Sequence, residues 1–285
     1  MNKFFAISML SLSLMLISCK EESSSPAGST HNVASDMVLV AGGTFTMGDS
    51  SSVPFVLPRH SVTLDSFYIG KTEVTQGEWK SVMSTNPIYF RSVGEDAPVE
   101  NVTWYDCISF CNKLSIREGK TPCYSVSGKT DPATWPKDTA TLNSVVCNFT
   151  AKGYRLPTEA EWEFAAKGGT LSKGFKFSGD SLVANSAWYF SNSGAKTHAA
   201  GTKTANELGL YDMSGNVWEW CWDWYGAYSS AAQSNPRGPA VASKRILRGG
   251  SWDSDENNCR AYHRANNYTP DYRYYDNGFR VVCSK

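Results

Sequence analysis

Between Met37 and Gly168 the apolar positions fall into short runs with defined starts and stops. Met37-Val38-Leu39-Val40, closed by Gly42-Gly43, predicts a strand and a turn. From Ser61 to Ile69 the alternation runs through Val62 and Leu64, then shifts phase to Phe67 and Ile69, which predicts one strand with an irregularity. Thr75-x-x-Glu78, Thr103-x-x-Asp106 and Thr158-x-x-Glu161 each put a hydroxyl at a helix start and a carboxylate three residues on. The hydroxyl accepts from a free backbone N–H and the carboxylate reaches back to the cap; Asp106, being shorter, makes the second match the weaker one. The helices they open are expected over Gln76–Met83, Trp104–Glu118 and Glu159–Lys167, with Gly168 as the left-handed stop of the last and Trp162 and Ala166 on its buried face. The rest is rich in Gly, Asn, Asp, Ser and Tyr, without internal repeat or long periodic run. This predicts an α+β domain with little regular structure and many ordered loops.

The first residues read differently. Met1-Asn2-Lys3 supplies a short positive region, Phe4 to Ile17 an apolar run, and Leu16-Ile17-Ser18-Cys19 a small residue before a cysteine. This is the layout of a secretory signal peptide over 1–18, and more narrowly of a bacterial lipobox with Cys19 as the lipidated residue; an ordinary signal peptide with a chance cysteine is the alternative. A polar tether over 19–35 leads to a domain over 36–285. Cleavage before Cys19 leaves 285 − 18 = 267 residues. No later stretch has the ~18 apolar residues that span a bilayer. The expected location is the bacterial cell envelope, held to the membrane by the lipid. Cys-Lys-Glu-Glu lacks an aspartate after the cysteine, so outer-membrane sorting is the default, on the periplasmic face or the surface.

Charge and cysteines narrow the classes. Lys plus Arg and Asp plus Glu both number 27, so no basic excess exists to neutralise phosphates, and nucleic acid is not an expected partner. Ten Trp are read as core. Beyond Cys19 lie Cys107, Cys111, Cys123, Cys147, Cys221, Cys259 and Cys283, an odd set that leaves at least one thiol free or paired between molecules. An exported chain can hold disulfides, and Cys123 and Cys147, bracketing a polar insert, are the first pair expected to bridge. Cys107 and Cys111 share a helix face. There is no C-x-x-C, and the four His are dispersed, unlike a zinc site.

Nucleophile-elbow, P-loop, H-E-x-x-H and dinucleotide motifs are absent. Asp253-Ser254-Asp255-Glu256-Asn257 opens like a calcium loop but has Asn258 where Gly is needed and Arg264 where Glu is needed. In the run Gly209–Trp220, Asp212 and Glu219 flank a tight Gly215-Asn216 turn. Carboxylates and backbone carbonyls aimed at one point suit Ca²⁺; from spacing alone, a hairpin with exposed acids is the favoured reading. Arg248-Gly249-Gly250-Ser251-Trp252 is followed by Cys259, Arg260, His263 and Arg264. A cysteine near basic groups can be a low-pKa thiolate, hence a nucleophile or soft-metal ligand, or it can be a structural half-cystine.

Read together, Val40–Gly48, Glu73-Val74-Thr75, Pro98–Trp104, Arg155–Glu163, Gly209–Trp220, Arg248–Trp252 and Asn277–Arg280 resemble, in order, the landmarks of the formylglycine-generating (sulfatase-modifying factor) family. The resemblance covers Met37 to Val282. It implies a fold similar to the C-type lectin-like architecture. It also implies bound calcium, through the side chains of Asp212 and Glu219 and the carbonyls of Gly215 and Val217, with a second site at Asn185 and the Ser186 carbonyl. The family's oxidase uses a cysteine pair, spaced as Ser254 and Cys259 are here, to hold Cu(I) and activate O₂. It turns a substrate cysteine in a C-x-P-x-R motif into formylglycine. Here the first position is Ser254, a poor ligand for soft Cu(I), so copper binding is expected to be weakened. Ser251 and Trp252 persist beside it. The resemblance leaves three readings. One is a calcium-stabilised lipoprotein acting as a binding or assembly module for an envelope protein, glycan or small molecule. Another is an oxidase, of the formylglycine-generating type or a related metal-dependent kind, with Cys259, Ser254, Ser251 and Trp252 at its centre. The last is a carbohydrate binder using Tyr268–Tyr275.

Overall fold

Each of the three hydroxyl–carboxylate starts closes into a reciprocal cap. Thr75 Oγ1 accepts from the Glu78 amide at 3.2 Å while Glu78 accepts from the Thr75 amide at 2.8 Å. The same pair of bonds joins Thr103 to Asp106 and Thr158 to Glu161, so the short Asp106 side chain reaches its cap. The computed structural model describes Met1, residues 35–50 and residues 54–285. The expected signal peptide, Cys19 and the tether lie outside the described residues, apart from Met1 and Ser35.

The capped helices run Gln76–Met83, Trp104–Arg117 and Glu159–Ala166. Gly168, at φ +89°, follows the last of them in the left-handed conformation. That helix departs from expectation in one respect: all eight residues are buried, including Glu159, Glu161 and Glu163, not only a Trp162/Ala166 face. It passes through the interior, so its carboxylates need partners. Glu161 takes Arg155 (2.7 Å), Glu163 takes Arg248 and Lys167, and Glu159 takes Arg264.

The expected single strand over 61–69 is two strands in two sheets. His60–Leu64 pairs with Gly43–Met47 and Gln233–Ser234. Phe67–Gly70 joins a four-stranded sheet in the order Met37–Val40, Phe67–Gly70, Val282–Ser284, Tyr154–Arg155. A one-residue phase shift sends every side chain to the opposite face, so the apolar run stays buried only by changing sheets at Asp65-Ser66. A second four-stranded sheet orders Arg264–Tyr268, Arg245–Arg248, Trp218–Trp224 and Asn277–Gly278, with an irregularity between Arg245 and Leu247.

Two large apolar clusters and a small third one around Phe177 and Cys259 fill the interior of the described residues. Of the large clusters, one centres on Trp104, Phe110, Trp220 and Phe279, the other on Trp162, Phe164, Val62 and Ile69. The tryptophans are thus largely core, as composition suggested. The cysteines differ from expectation: all seven described are free thiols. Cys147 pairs with Tyr124, the residue after Cys123, without a bridge between the two cysteines, and Cys123 Sγ instead contacts the Ala151 carbonyl at 3.9 Å. Among the described residues no helix is long and apolar enough to cross a membrane.

Candidate functional site

Two turns, both built on left-handed glycines, bring the motif residues together. The first holds Gly215 at φ +83°, where an added Cβ would lie 2.3 Å from the Trp188 carbonyl; only glycine fits. Asn216 fixes the turn through its side chain, accepting from the His198 amide at 3.0 Å. Asp212 and Glu219 are both buried, so the exposed-hairpin reading of this segment does not hold.

Their environments differ. Glu219 accepts from Arg280 Nε and Nη2, each at 2.6 Å, and from Trp162 Nε1 at 2.8 Å. Asp212 accepts from the Gly201 amide at 2.6 Å through Oδ2, while Oδ1 is buried without a hydrogen-bond partner. Glu73 lies against it, its carboxyl oxygens buried with no partner but the facing Asp212 acid, with which a shared proton can make a hydrogen bond. Burial, and then the facing Asp212 carboxyl, raises Glu73; burial pushes Asp212 up to about 6. Orphaned buried oxygens are what a hard cation would satisfy, and in this respect Asp212 fits calcium. Glu219 fits only if it shares its oxygens with Arg280. Among the described residues no three Asp, Glu, His or Cys side chains converge to hold a metal ion, so a cation here would need carbonyls such as those of Gly215 and Val217. At the second position, Asn185 donates to Asp180 at 2.9 Å and its carbonyl accepts from the Thr204 amide at 3.0 Å; Ser186 is buried with its hydroxyl unpartnered.

The second turn places Gly249 and Gly250 at φ +97° and +77°. Gly250 passes so near Cys259 that an added Cβ would be 2.9 Å from its sulfur. Beyond it, Ser254 Oγ accepts from the Ser251 amide at 2.9 Å and lies 3.1 Å from Ser251 Oγ, which donates to Asp276 at 3.0 Å. Burial raises Asp276 to about 6. It also raises Glu100 to about 7; Glu100 accepts from the amides of Tyr89 and Phe90, with its second oxygen buried and unpartnered. Trp252 packs on Phe90 and Tyr275 and donates to the Tyr275 carbonyl at 3.3 Å. From Tyr275 a half-exposed aromatic ladder runs through Tyr274 and Tyr272 to Tyr268.

Cys259 stands apart from these hydroxyls. It is fully buried beside Phe177, Val183 and Ala187. Burial, then the nearby Asp255 and Glu256, pushes its thiol far up. The basic residues that follow it in sequence do not activate it. Arg260 goes to Asn257 and Tyr262, and Arg264 to Glu159; His263 is itself held neutral, its pKa lowered to about 4 by burial and by Arg248. Of the two readings open from sequence, low-pKa thiolate or half-cystine, the structure shows neither: Cys259 is a free, buried thiol whose ionisation is disfavoured.

Sequence reasoning assigned no role to Glu73, Glu100, Asp276 or Arg280. The first two and Arg280 lie inside the quoted motifs; the apolar neighbours of Arg280, Phe279 and Val281, were an available signal, whereas Glu73 sits in a polar stretch that gave none.

Comparison with known proteins matches residues 22–285 to the sulfatase-modifying factor enzyme 1-like domain. A "Chaperone protein LppX" of Paenibacillus barcinonensis is 42% identical, the alignment covering 92% of this chain and 93% of that one. A "Formylglycine-generating enzyme" of Thermomonospora curvata is 31% identical over 90% and 96% of the two chains. The solved structure "Treponema denticola variable protein 1" superposes with a TM-score of 0.81 at 41% identity, covering 90% of this chain and 98% of that one. The α+β fold built around these two turns is that of the formylglycine-generating enzymes, and the chain belongs to the sulfatase-modifying factor family.

Proposed function

We propose that this chain is a binding or assembly module of the bacterial cell envelope, tethered through Cys19, and not a formylglycine-generating oxidase. The observation that carries this reading is the state of the copper position. Ser254 is a hydroxyl engaged with Ser251, and Cys259 is a protonated thiol sealed among apolar side chains. Neither is a soft, deprotonated ligand. The 42% identical relative bears a chaperone's name, which supports an assembly role; the 31% identical relative bears the oxidase's name. The test is mass spectrometry of a C-x-P-x-R peptide after incubation with the purified protein, Cu(I), reductant and air, beside Ser254→Cys. The expected result is no thiol-to-aldehyde conversion by the wild type; conversion by the variant would show that Ser254 alone blocks the chemistry and that Cys259 stays available to copper. Conversion by the wild type would make the chain an oxidase.

Calcium is proposed as the stabilising ion at Asp212, supported by that residue's orphaned buried oxygen. A glycan-binding variant of the module reading is favoured by one further observation, the contiguous half-exposed rings from Tyr268 to Tyr275. Sugars stack on such faces, and loss of glycan binding on calcium removal is its expected signature.

A further inference from the structure

The strand Trp218–Trp224 ends in a buried acid that the motif turns do not use. Asp223 is 4% exposed and lies on the wall of a cavity of about 620 Å³, between the start of helix Glu159–Ala166 and the chain from Gly226 to Pro239. His60, Glu159, Trp224, Tyr228 and Arg264 share the lining. A cavity of this size takes a small organic molecule.

The two carboxyls on that wall are treated differently. Glu159 is saturated: Arg264 Nε donates to it at 2.7 Å, Arg248 Nε stands at 3.2 Å, and Tyr228 OH donates at 3.2 Å. Asp223 accepts the first amide of the helix, Glu159 N–H, at 2.8 Å through Oδ2. Among the described residues no Lys, Arg or His forms an ion pair with it. The nearby guanidinium groups are committed elsewhere. Arg264 holds Glu159 and the Gly226 carbonyl at 2.8 Å. Arg245 is stacked between Trp104 and Trp224 and donates to the Trp222 carbonyl. Arg237, exposed on the rim, lies over Phe149 at 3.9 Å.

We propose that this cavity binds a small primary amine, whose ammonium group pairs with Asp223. Arg264, the buried guanidinium of the lining, is already neutralised by Glu159, so an anion finds no free buried cation there. An ammonium group can take the place of the acid's proton as its partner, which a neutral polyol cannot do. Burial, then the neighbouring Glu159 and Glu161 carboxylates, raises Asp223 to about 8, while Arg264 opposes the shift. Near neutral pH the acid therefore keeps a proton, which an arriving ammonium displaces. The site shares no residue with Ser251, Ser254 or Cys259, so it stands or falls independently of the function proposed above.

The test is isothermal titration calorimetry of the purified full-length chain with cadaverine and glucosamine, beside their neutral twins 1,5-pentanediol and glucose, at pH 7 and pH 9. Binding of an amine but not of its twin is expected, with heats at pH 7 that differ between phosphate and HEPES because a proton is released. Asp223→Asn, which keeps an acceptor for the Glu159 amide, is expected to weaken binding at least tenfold. Ala227→Trp, at an exposed lining position, is expected to weaken it similarly while leaving the acid intact. If Asp223→Asn does not fold, the ¹³C carboxyl shift of Asp223 in the wild type decides: the amine is expected to lower its titration midpoint. No amine binding at either pH, binding undiminished in both variants, or an unmoved carboxyl midpoint would overturn the proposal.

Discussion

Ser254 accepts the backbone amide of Ser251 at 2.9 Å, so the position where the oxidase pattern has its first cysteine is here part of the turn's own hydrogen bonding. A thiol is a poorer acceptor with a longer bond to carbon. Ser254→Cys is therefore expected to cost about 1–2 kcal/mol of stability as the Ser251 amide loses its partner. The same change creates a two-thiol pair, and metal binding can draw protons even from a buried thiol. Competition with a Cu(I) chelator is expected to show affinity at least tenfold higher in the variant. Equal, avid copper binding by the wild type would contradict the proposed function.

The second position makes a complementary prediction. Cys259 is buried, with acidic neighbours that disfavour the thiolate. It is expected to resist a thiol reagent such as DTNB in the native protein and to react on unfolding in urea. Cys259→Ser, which places a hydroxyl among Phe177, Val183 and Ala187, is expected to lower stability by about 1–3 kcal/mol. Rapid labelling of Cys259 under native conditions would restore it as a candidate nucleophile.

How much of this was legible in the sequence depends on distance along the chain. A capping box is complete within four residues, and all three were readable, including the one that rests on Asp106. The break at Asp65-Ser66 left a phase shift in the apolar pattern, but the pattern could not say that the two halves join different sheets. The buried ion pairs left less trace. Glu159 meets Arg264 105 residues later and Glu219 meets Arg280 after 61, and no local pattern encodes such a partnership. Cys259 is ambiguous for a related reason: it has acids before it, Asp255 and Glu256, and bases after it, Arg260 and Arg264, and the sequence does not say which of them face the thiol.

The Glu219–Arg280 pair is the most enclosed of these contacts, both side chains having no exposed area. Arg280 also donates to the carbonyls of Gly70 and Tyr211 at 3.0 Å, tying three segments together. Removing one partner strands a buried charge. Arg280→Met is expected to cost about 3–5 kcal/mol, measured by urea unfolding. The paired change Arg280→Met with Glu219→Gln is expected to cost less than the sum of the two single changes, and strict additivity would mean the contact contributes little.

Calcium makes a prediction that does not depend on any variant. If Asp212 holds the ion, a chelator lowers the melting temperature and added Ca²⁺ restores it, by about 2.7 kcal/mol at free calcium one hundred times the dissociation constant. Asp212→Ala is expected to abolish the calcium response. An unchanged melting curve, with no metal in the purified protein, would remove calcium from the account.

Asp223, whose carboxyl is raised to about 8 by burial and then by Glu159, adds to a pH dependence of stability shared with Glu73, Glu100, Asp212 and Asp276, which burial also raises. An unfolded aspartate titrates near 3.9. Between about pH 4 and pH 8 the native chain holds a proton that the unfolded chain has already released, so this residue's contribution to stability falls as pH rises through that window. Above about 8 both states are ionised and the dependence ends. Asn cannot titrate, so the stability of Asp223→Asn relative to the wild type is expected to rise from pH 5 to pH 8, with a slope no greater than about 1.4 kcal/mol per pH unit, and to level off by pH 9. His263 acts in the opposite direction below about pH 6.5, since it is buried neutral and its pKa is lowered to about 4, but it is present in both proteins and cancels in the difference. Urea unfolding of the two proteins at unit pH intervals measures the effect. A difference that stays flat from pH 5 to pH 8 would mean that the native Asp223 carboxyl is ionised throughout that range and is not raised by its burial.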